Sequence, residues 1–278
     1  MAAGTLFIIG TPIGNLEDVT LRALRTLKEC DVVFCEDTRV TRKLLNRHNV
    51  RKPTASFHQY SGTNVVEDVR KALRDGKNVA YVTDAGMPGV ADPGPQLVAM
   101  CLEEGLAVDV IPGPSALATA LAHLPVQPPA FTFMAFPGKG AAKLKRFAGA
   151  IAAEGKPAVV FVGPHDLAAL AQAARKALPE GTMALMCREL TKLHQEVKYL
   201  TLEELEARAA GEVKGEITLI FVPPKVEDAP LQVESPLAEA AEKLAELGFS
   251  GRDRVRILNA LYPKRKAEVR RAVYNTGD

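Results

Sequence analysis

Apolar residues in the first half of the chain come in short runs, Leu6–Ile9, Val32–Cys35, Thr54–Phe57, Val79–Val82 and Val108–Ile111. Each is too short for a helix and is bounded by glycine, proline or polar residues, so each predicts a strand. Between them, apolar positions recur at three- and four-residue spacing. Leu21, Leu24 and Leu27 do so behind a Thr20 cap, which predicts an amphipathic helix. Asp92-Pro93 predicts a further helix running toward Cys101, with Asp92 as N-cap and proline in the first turn. Strands alternating with helices of this length imply right-handed crossovers and a largely parallel, doubly wound sheet.

Leu124–Ala130 carries three prolines in seven residues and reads as a linker. A second α/β pattern follows, with strands expected at Phe131–Ala135, Ala158–Val162, Met183–Cys187, Glu196–Tyr199 and Ile217–Val222. Thr201 and Glu204 form a capping-box signature that opens a helix between the last two. Pro223, Pro224 and Pro230 mark another linker, and the pattern from Ser235 onward is helical, with Gly248 as a stop. The expected organisation is an N-terminal α/β domain over 1–123, a second α/β domain over 131–224 and a small basic helical segment over 235–278.

Composition changes little in this picture. The 278 residues are 47% hydrophobic and 24% charged, which is the balance of a globular protein. No apolar run approaches the roughly 20 residues that span a bilayer, and Leu6–Ile9 reads as a strand, not a signal segment. Cys30, Cys35, Cys101 and Cys187 form no CxxC pair and have no histidine at metal spacing. A reduced, cytoplasmic setting and no metal are therefore expected. Net charge is only +2, but its distribution is uneven. Arg252, Arg254, Arg256, Lys264, Arg265, Lys266, Arg270 and Arg271 face only Asp253 and Glu268 in the same stretch, and Lys139, Lys143, Lys145 and Arg146 form a second cluster. Two such clusters in an otherwise balanced chain point to a polyanionic partner.

Candidate chemistry lies in the loops that follow strands, because a doubly wound sheet binds ligands beyond the carboxyl ends of its strands. Three are rich in glycine and proline: Gly10–Asn15 (GTPIGN), Thr83–Gly94 (TDAGMPGVADPG) and Pro112–Ala116 (PGPSA). Glycine admits close backbone approach and proline fixes the loop, so together they offer rigid backbone groups to a ligand. GTPIGN has GxxxG spacing, not the GxGxxG that cradles a dinucleotide pyrophosphate, and no GxxxxGK[ST] occurs anywhere. The ligand expected is one without a pyrophosphate.

These loops, with EDTR (Glu36–Arg39), RELTK (Arg188–Lys192) and KGE (Lys214–Glu216), resemble successive motifs of the ribosomal RNA small subunit methyltransferase I family, a branch of the tetrapyrrole-methylase-like class III methyltransferases. The resemblance runs collinearly from about residue 5 to 222. It implies two α/β domains with S-adenosylmethionine folded in the cleft between them, a homodimer, and 2′-O-methylation of a cytidine in the decoding region of 16S rRNA, as naked rRNA or in the small ribosomal subunit. The alternative within the fold is a methyltransferase of a small tetrapyrrole-like substrate. EDTR and the basic C-terminal segment argue against it.

The cofactor contacts the resemblance implies are Pro12, Asp84, Ala85, Gly86, Met87, Pro88, Gly113, Ser115 and Ala116 from the first domain. From the second they are Phe136, Leu190, Gly215, Glu216 and Thr218. A ribose hydroxyl is a weak nucleophile, so a base or a cation near it is needed. Glu36 or Asp37 is the candidate base, Arg39 accompanies them, and Lys192 beside Glu189 is the candidate for stabilising an alkoxide or a phosphate. Asn15, His58, Asn64, Lys139, Lys143 and Arg146 are the candidate RNA contacts. The chain departs from the family's wording at FVGPHDL (Phe161–Leu167), where a Tyr-Glu-Ser segment is usual, and at Ala135, where glycine is usual. Both departures fall in the second domain, on the expected substrate side.

Overall fold

Five strands, β1 (Thr5–Ile9), β2 (Val32–Cys35), β3 (Thr54–Ser56), β4 (Val79–Val82) and β5 (Ala107–Ile111), form a parallel sheet in the order β3-β2-β4-β1-β5. The computed structural model describes residues 2–57, 63–224, 236–262 and 266–274. Alternate residues of each strand go to opposite faces. Ile9, Val33, Cys35, Ala80 and Val82 pack on one face with Ala23 and Leu27 of α1 (Leu21–Glu29) and Leu45 of α2 (Thr38–Arg47). Leu6, Ile8, Phe34, Val79 and Tyr81 pack on the other with Val69 and Leu73 of α3 (Thr63–Arg74) and Leu97 and Met100 of α4 (Pro95–Glu103). Thr20 caps α1 through the Ala23 amide, as its sequence requires. The helix toward Cys101 begins later than Asp92-Pro93 predicts: Gly94, at φ 135°, precedes it and Pro95 takes the first turn. Gly94 packs against the Tyr81 ring, where a Cβ would come within 3.0 Å of it, so only glycine turns the chain there.

After α5 (Ala116–Leu121) the chain enters a second sheet of β6 (Thr132–Phe133), β7 (Ala158–Val162), β8 (Met183–Arg188), β9 (Glu196–Thr201) and β10 (Ile217–Val222). Its order is β6-β7-β10-β8-β9, and only the β6–β7 pair is parallel. The strand expected over Phe131–Ala135 is cut to two residues because Ala135 leaves the extended region, at φ 50°. One face of this sheet is covered by α6 (Ala141–Glu154), α7 (Pro164–Ala177) and α8 (Leu202–Ala210). The Thr201–Glu204 capping box that opens α8 is formed in both directions. The other face turns Val159, Leu185, Cys187 and Ile220 toward Ala120 of α5 and toward Ile13 and Leu190, and this shared core fastens the two sheets together.

The chain divides into two compact units, Met1–Pro224 and Lys225–Asp278. In the second, α9 (Pro236–Glu246), α10 (Gly251–Leu261) and α11 (Lys266–Tyr274) bury Leu237, Ala241, Leu258, Val269 and Val273 among themselves. Gly248, at φ 83°, follows α9, and Ser250 caps α10. Among the described residues, no helix is long and apolar enough to cross a membrane.

Candidate functional site

The connection from β1 leaves over one face of the parallel sheet and that from β4 over the other, so adjacent strands β1 and β4 frame a switch point. Their loops are joined there. The Thr11 amide donates to the Gly86 carbonyl at 2.9 Å and the Gly86 amide to the Thr11 carbonyl at 3.1 Å, while the buried Thr11 hydroxyl reaches the Thr83 carbonyl. The third loop is wedged against the first. A Cβ on Gly113 would meet the Gly10 backbone at 2.7 Å, so both glycines are needed for two backbones to touch.

Beyond these strand ends lies a cavity of about 490 Å³, within the range of roughly 300–1,000 Å³ usual for small-molecule sites. Asp84, Ala85, Gly86, Met87, Ser115 and Ala116 line it from the first sheet, and Phe136, Leu190, Gly215, Glu216 and Thr218 from the second. Three expected contacts do not. Pro12 and Pro88 are buried beneath the loops, and Gly113 faces Gly10. Glu36, Asp92, Phe161–Pro164 and Cys187 line the cavity as well, and of these only Glu36 was expected from sequence as a residue of the reaction. Asp92 is found there because the helix starts at Pro95 and leaves it in the loop.

The described lining includes Glu36, Asp84, Asp92 and Glu216 and no lysine, arginine or histidine. Burial pushes Asp92 up to about 6, and the charges of Glu36, Asp84 and Glu216 add to it. Burial also raises Asp84, partly offset by the Asp37 amide that donates to its Oδ1 at 3.0 Å. Asp37 itself is engaged elsewhere. Its carboxylate caps α2 through the Arg39 amide and holds the Arg39 guanidinium at 2.7 Å, bonds that keep it down at about 2. Arg39 is otherwise exposed.

A second constellation is built on Glu216 of the cavity wall. Lys192 Nζ lies 2.9 Å from Glu189 Oε1 and 2.8 Å from Glu216 Oε2, and Glu189 Oε1 also accepts from the Glu216 amide at 2.8 Å. Burial works to lower the Lys192 pKa, but these hydrogen bonds outweigh it and the ammonium is held above its ordinary value. The loop is strained to do this, with Glu189 at φ 50° and Thr191 at φ 65°. Gly215, at φ 92°, leaves the space that the Glu189 carboxyl occupies. The Asn15 amide donates to Thr191 Oγ1 at 3.1 Å, which ties the first loop to this one. Among the described residues, no group of three or more His, Cys, Asp or Glu is arranged to hold a metal ion.

The candidate RNA contacts are scattered. Asn15 caps the short helical turn Leu16–Asp18, Asn64 is exposed in the first turn of α3, and Lys139, Lys143 and Arg146 are exposed around the start of α6. His58 lies outside the described residues. Of the C-terminal basic cluster, Arg252 and Arg256 are exposed, whereas Arg254 turns inward and donates to the Ala241 carbonyl.

Comparison with known proteins decides the family. The pattern of the tetrapyrrole (corrin/porphyrin) methylases matches residues 5–206. The chain is 40% identical over 221 residues to ribosomal RNA small subunit methyltransferase I of Thermotoga maritima, a match covering 78% of this chain and 98% of that one. It is 36% identical over 267 residues to the Mycobacterium tuberculosis protein of the same name, covering 95% of this chain and 92% of that one. The chain belongs to the ribosomal RNA small subunit methyltransferase I family. Solved structures similar to it include the methyltransferase CobJ (TM-score 0.61, 15% identity, covering 80% of this chain and 95% of that one). A uroporphyrin-III-C-methyltransferase from Thermus thermophilus is also similar (TM-score 0.57, 18% identity, 78% and 94%). These show the tetrapyrrole-methylase fold, with two sheets and an added C-terminal helical segment. Phe161–Pro164, the start of the segment whose wording differs from the one expected, line the cavity itself.

Proposed function

We propose that this chain transfers a methyl group from S-adenosylmethionine to a ribose 2′-hydroxyl of 16S rRNA, at a cytidine of the decoding region. The observation that carries the cofactor assignment is the charge of the cavity: four carboxylates on an apolar, loop-built wall, with no cationic side chain in the described lining. A ligand with a phosphate is repelled there, whereas a cationic sulfonium is attracted, the more so for the low local dielectric. The relatives named as rRNA methyltransferases support the substrate class. S-adenosylmethionine, when bound, supplies an electrophilic methyl group whose departure leaves a neutral thioether.

The protein's own residues then have distinct tasks. Asp84–Met87, Ser115 and Ala116 hold the cofactor from one sheet, and Phe136, Leu190 and Gly215–Thr218 close over it from the other. Glu36 is the better placed of the two candidate bases because it lines the cavity, while Asp37 is spent on the α2 cap and on Arg39. Glu36 takes the proton of the 2′-hydroxyl. Lys192, kept cationic by Glu189 and Glu216, steadies the oxygen or the neighbouring phosphate as charge develops. Holding the acceptor oxygen in line with the methyl carbon supplies much of the acceleration.

Labelled S-adenosylmethionine incubated with the protein and small ribosomal subunits, naked 16S rRNA or tetrapyrrole precursors tests this reading. Label is expected in a 2′-O-methylcytidine after nuclease digestion. Transfer to a tetrapyrrole, or cofactor binding with no transfer to any rRNA, would overturn it.

A further inference from the structure

The two faces of the parallel sheet differ in charge. α1 and α2, which share one face, present Arg22, Arg25, Lys28, Arg39, Arg42, Lys43 and Arg47 against the single acid Glu29. α3 and α4, on the opposite face, carry Arg70, Lys71 and Arg74 against Glu67, Asp68 and Glu103. Pairing leaves the difference in place, although Arg22, Arg39 and Arg47 on the basic face are themselves bonded to Asp109, Asp37 and Glu17. Arg70 is bonded to Glu67 and Glu104, and Arg74 to Glu104, so two of the three cations on the balanced face are neutralised locally. Arg25 and Lys28 of α1, Arg42 and Lys43 of α2, and Arg51 in the connection from α2 to β3 are all exposed and have no carboxylate partner among the described residues. Arg42 meets only the neutral Thr54 hydroxyl, at 3.2 Å.

An ordinary solvated helix mixes signs, because i,i+4 pairs of opposite charge stabilise it and like charges destabilise it. α2 has four cations and no acid over Thr38–Arg47, so its stability is reduced by its own charge. Its placement supplies a use. The helix follows Asp37, whose amide binds Asp84 on the cavity wall and whose neighbour Glu36 lines the cavity, so its first turn lies beside the cavity. The negative cavity and the positive helix thus meet at the candidate base, Glu36.

We propose that the α1–α2 face is a track for the RNA phosphate backbone, which runs along Arg42, Lys43 and Arg51 while the acceptor ribose turns into the cavity beside Glu36. This rests on the rRNA methyltransferase reading, and it places a binding surface apart from the α6 and C-terminal clusters. A track of this kind binds by displacing counterions from RNA, so its affinity falls steeply with salt. Phosphate contacts position the substrate without reading its sequence.

The test is the variant R42Q/K43Q/R51Q, with K71Q/K77Q, in α3 and in the connection that follows it, as control, titrated with 16S rRNA at several salt concentrations and, separately, with S-adenosylmethionine. The track variant is expected to bind rRNA about tenfold or more weakly near physiological salt. Its slope of log K against log salt should be shallower by about 2. Cofactor affinity should match wild type, melting temperature should be equal to wild type or slightly higher as like charges leave α2, and the control should bind rRNA normally. Wild-type rRNA affinity and salt slope in the track variant overturn the proposal even if methylation stands. Equal weakening in the control reduces the effect to net charge and also overturns it. Loss of binding to vesicles of anionic lipid, with rRNA binding kept, assigns the face to a membrane instead. A wild-type protein that binds the cofactor but no rRNA removes both this proposal and the function on which it rests.

Discussion

At the scale of single residues, Asp92 links the cavity's burial to its charge. Its carboxyl sits at about 6 in the folded protein against an ordinary 3.8, with burial the main cause. A raised folded pKa means that the protonated form is favoured. The stability Asp92 contributes is therefore full below about pH 4 and is lost as pH rises through about 6. A cationic ligand reverses the preference, because it attracts the ionised form. Affinity for S-adenosylmethionine should thus rise from pH 5 to pH 7 and level off above it. S-adenosylhomocysteine, whose sulfur is neutral, should show a much smaller change. Calorimetric titrations of both ligands across that range check this, and Asp92→Asn should flatten the S-adenosylmethionine profile; parallel profiles for the two ligands would show that no sulfonium lies near Asp92. Gly215 makes a steric prediction. At φ 92°, with its missing Cβ pointing at the Glu189 carboxyl, Gly215→Ala should cost about 1–3 kcal/mol, seen in chemical denaturation. It should also lower methyl transfer by displacing the Glu189–Lys192 pair.

At the scale of elements, the segment from β8 to β10 is held from behind by Glu196. Arg188, Lys198 and Arg208 converge on its carboxylate and keep it at about 2. Arg188 in turn donates to the Lys214 and His194 carbonyls, so one ion cluster fixes both ends of the strained Glu189–Thr191 turn. Glu196 is 17% exposed and Arg188 19%. Glu196→Gln should destabilise the protein by about 2–3 kcal/mol at neutral pH, somewhat less than breaking a fully buried pair. A lowered folded pKa gives stability that is present above the ordinary carboxylate range and lost as pH falls toward 2. The gap between variant and wild type should therefore shrink in acid denaturation series, and a gap constant with pH would remove the ionic account. Most elements of this architecture were legible in sequence. β2, β4, β7 and β10 have the expected limits, because their apolar runs are buried on both sides and bounded by turn residues. The cavity was legible where chemistry is local, at the loops after β1, β4 and β5. It was illegible where tertiary contact decides. Gly113 looks like a ligand glycine but serves Gly10, and Asp92 looks like a cap but faces the cavity. Phe161–Pro164 reach it only because β7 and β10 run antiparallel, a pairing no local pattern prescribes.

At the scale of the molecule, the boundary near Pro224 separates the part that holds the cavity from the C-terminal helices. Both sheets, the core between them and every described residue lining the cavity fall before it. The Thermotoga maritima relative is matched over 98% of its length by 221 residues, 78% of this chain, so about a fifth of this chain has no counterpart in that relative. The three helices have a core of five buried apolar residues of their own, and the described exposed side chains among them include Arg252, Arg256 and Arg270. A protein ending at Pro224 should therefore fold, keep its melting temperature within a few degrees and bind S-adenosylmethionine as the full chain does. Its rRNA affinity should fall, because the exposed cations after residue 235 are gone and each phosphate contact adds to the salt-dependent part of binding. Combining the truncation with R42Q/K43Q/R51Q separates the two surfaces. Independent sites lose affinity additively on a logarithmic scale, within about 0.5 kcal/mol, whereas two parts of one continuous footprint lose more or less than the sum. Filter-binding of 16S rRNA to the four proteins distinguishes these outcomes. Undiminished rRNA binding by the truncated chain would confine the RNA contacts to the first 224 residues and leave the C-terminal cations as an ordinary solvated face.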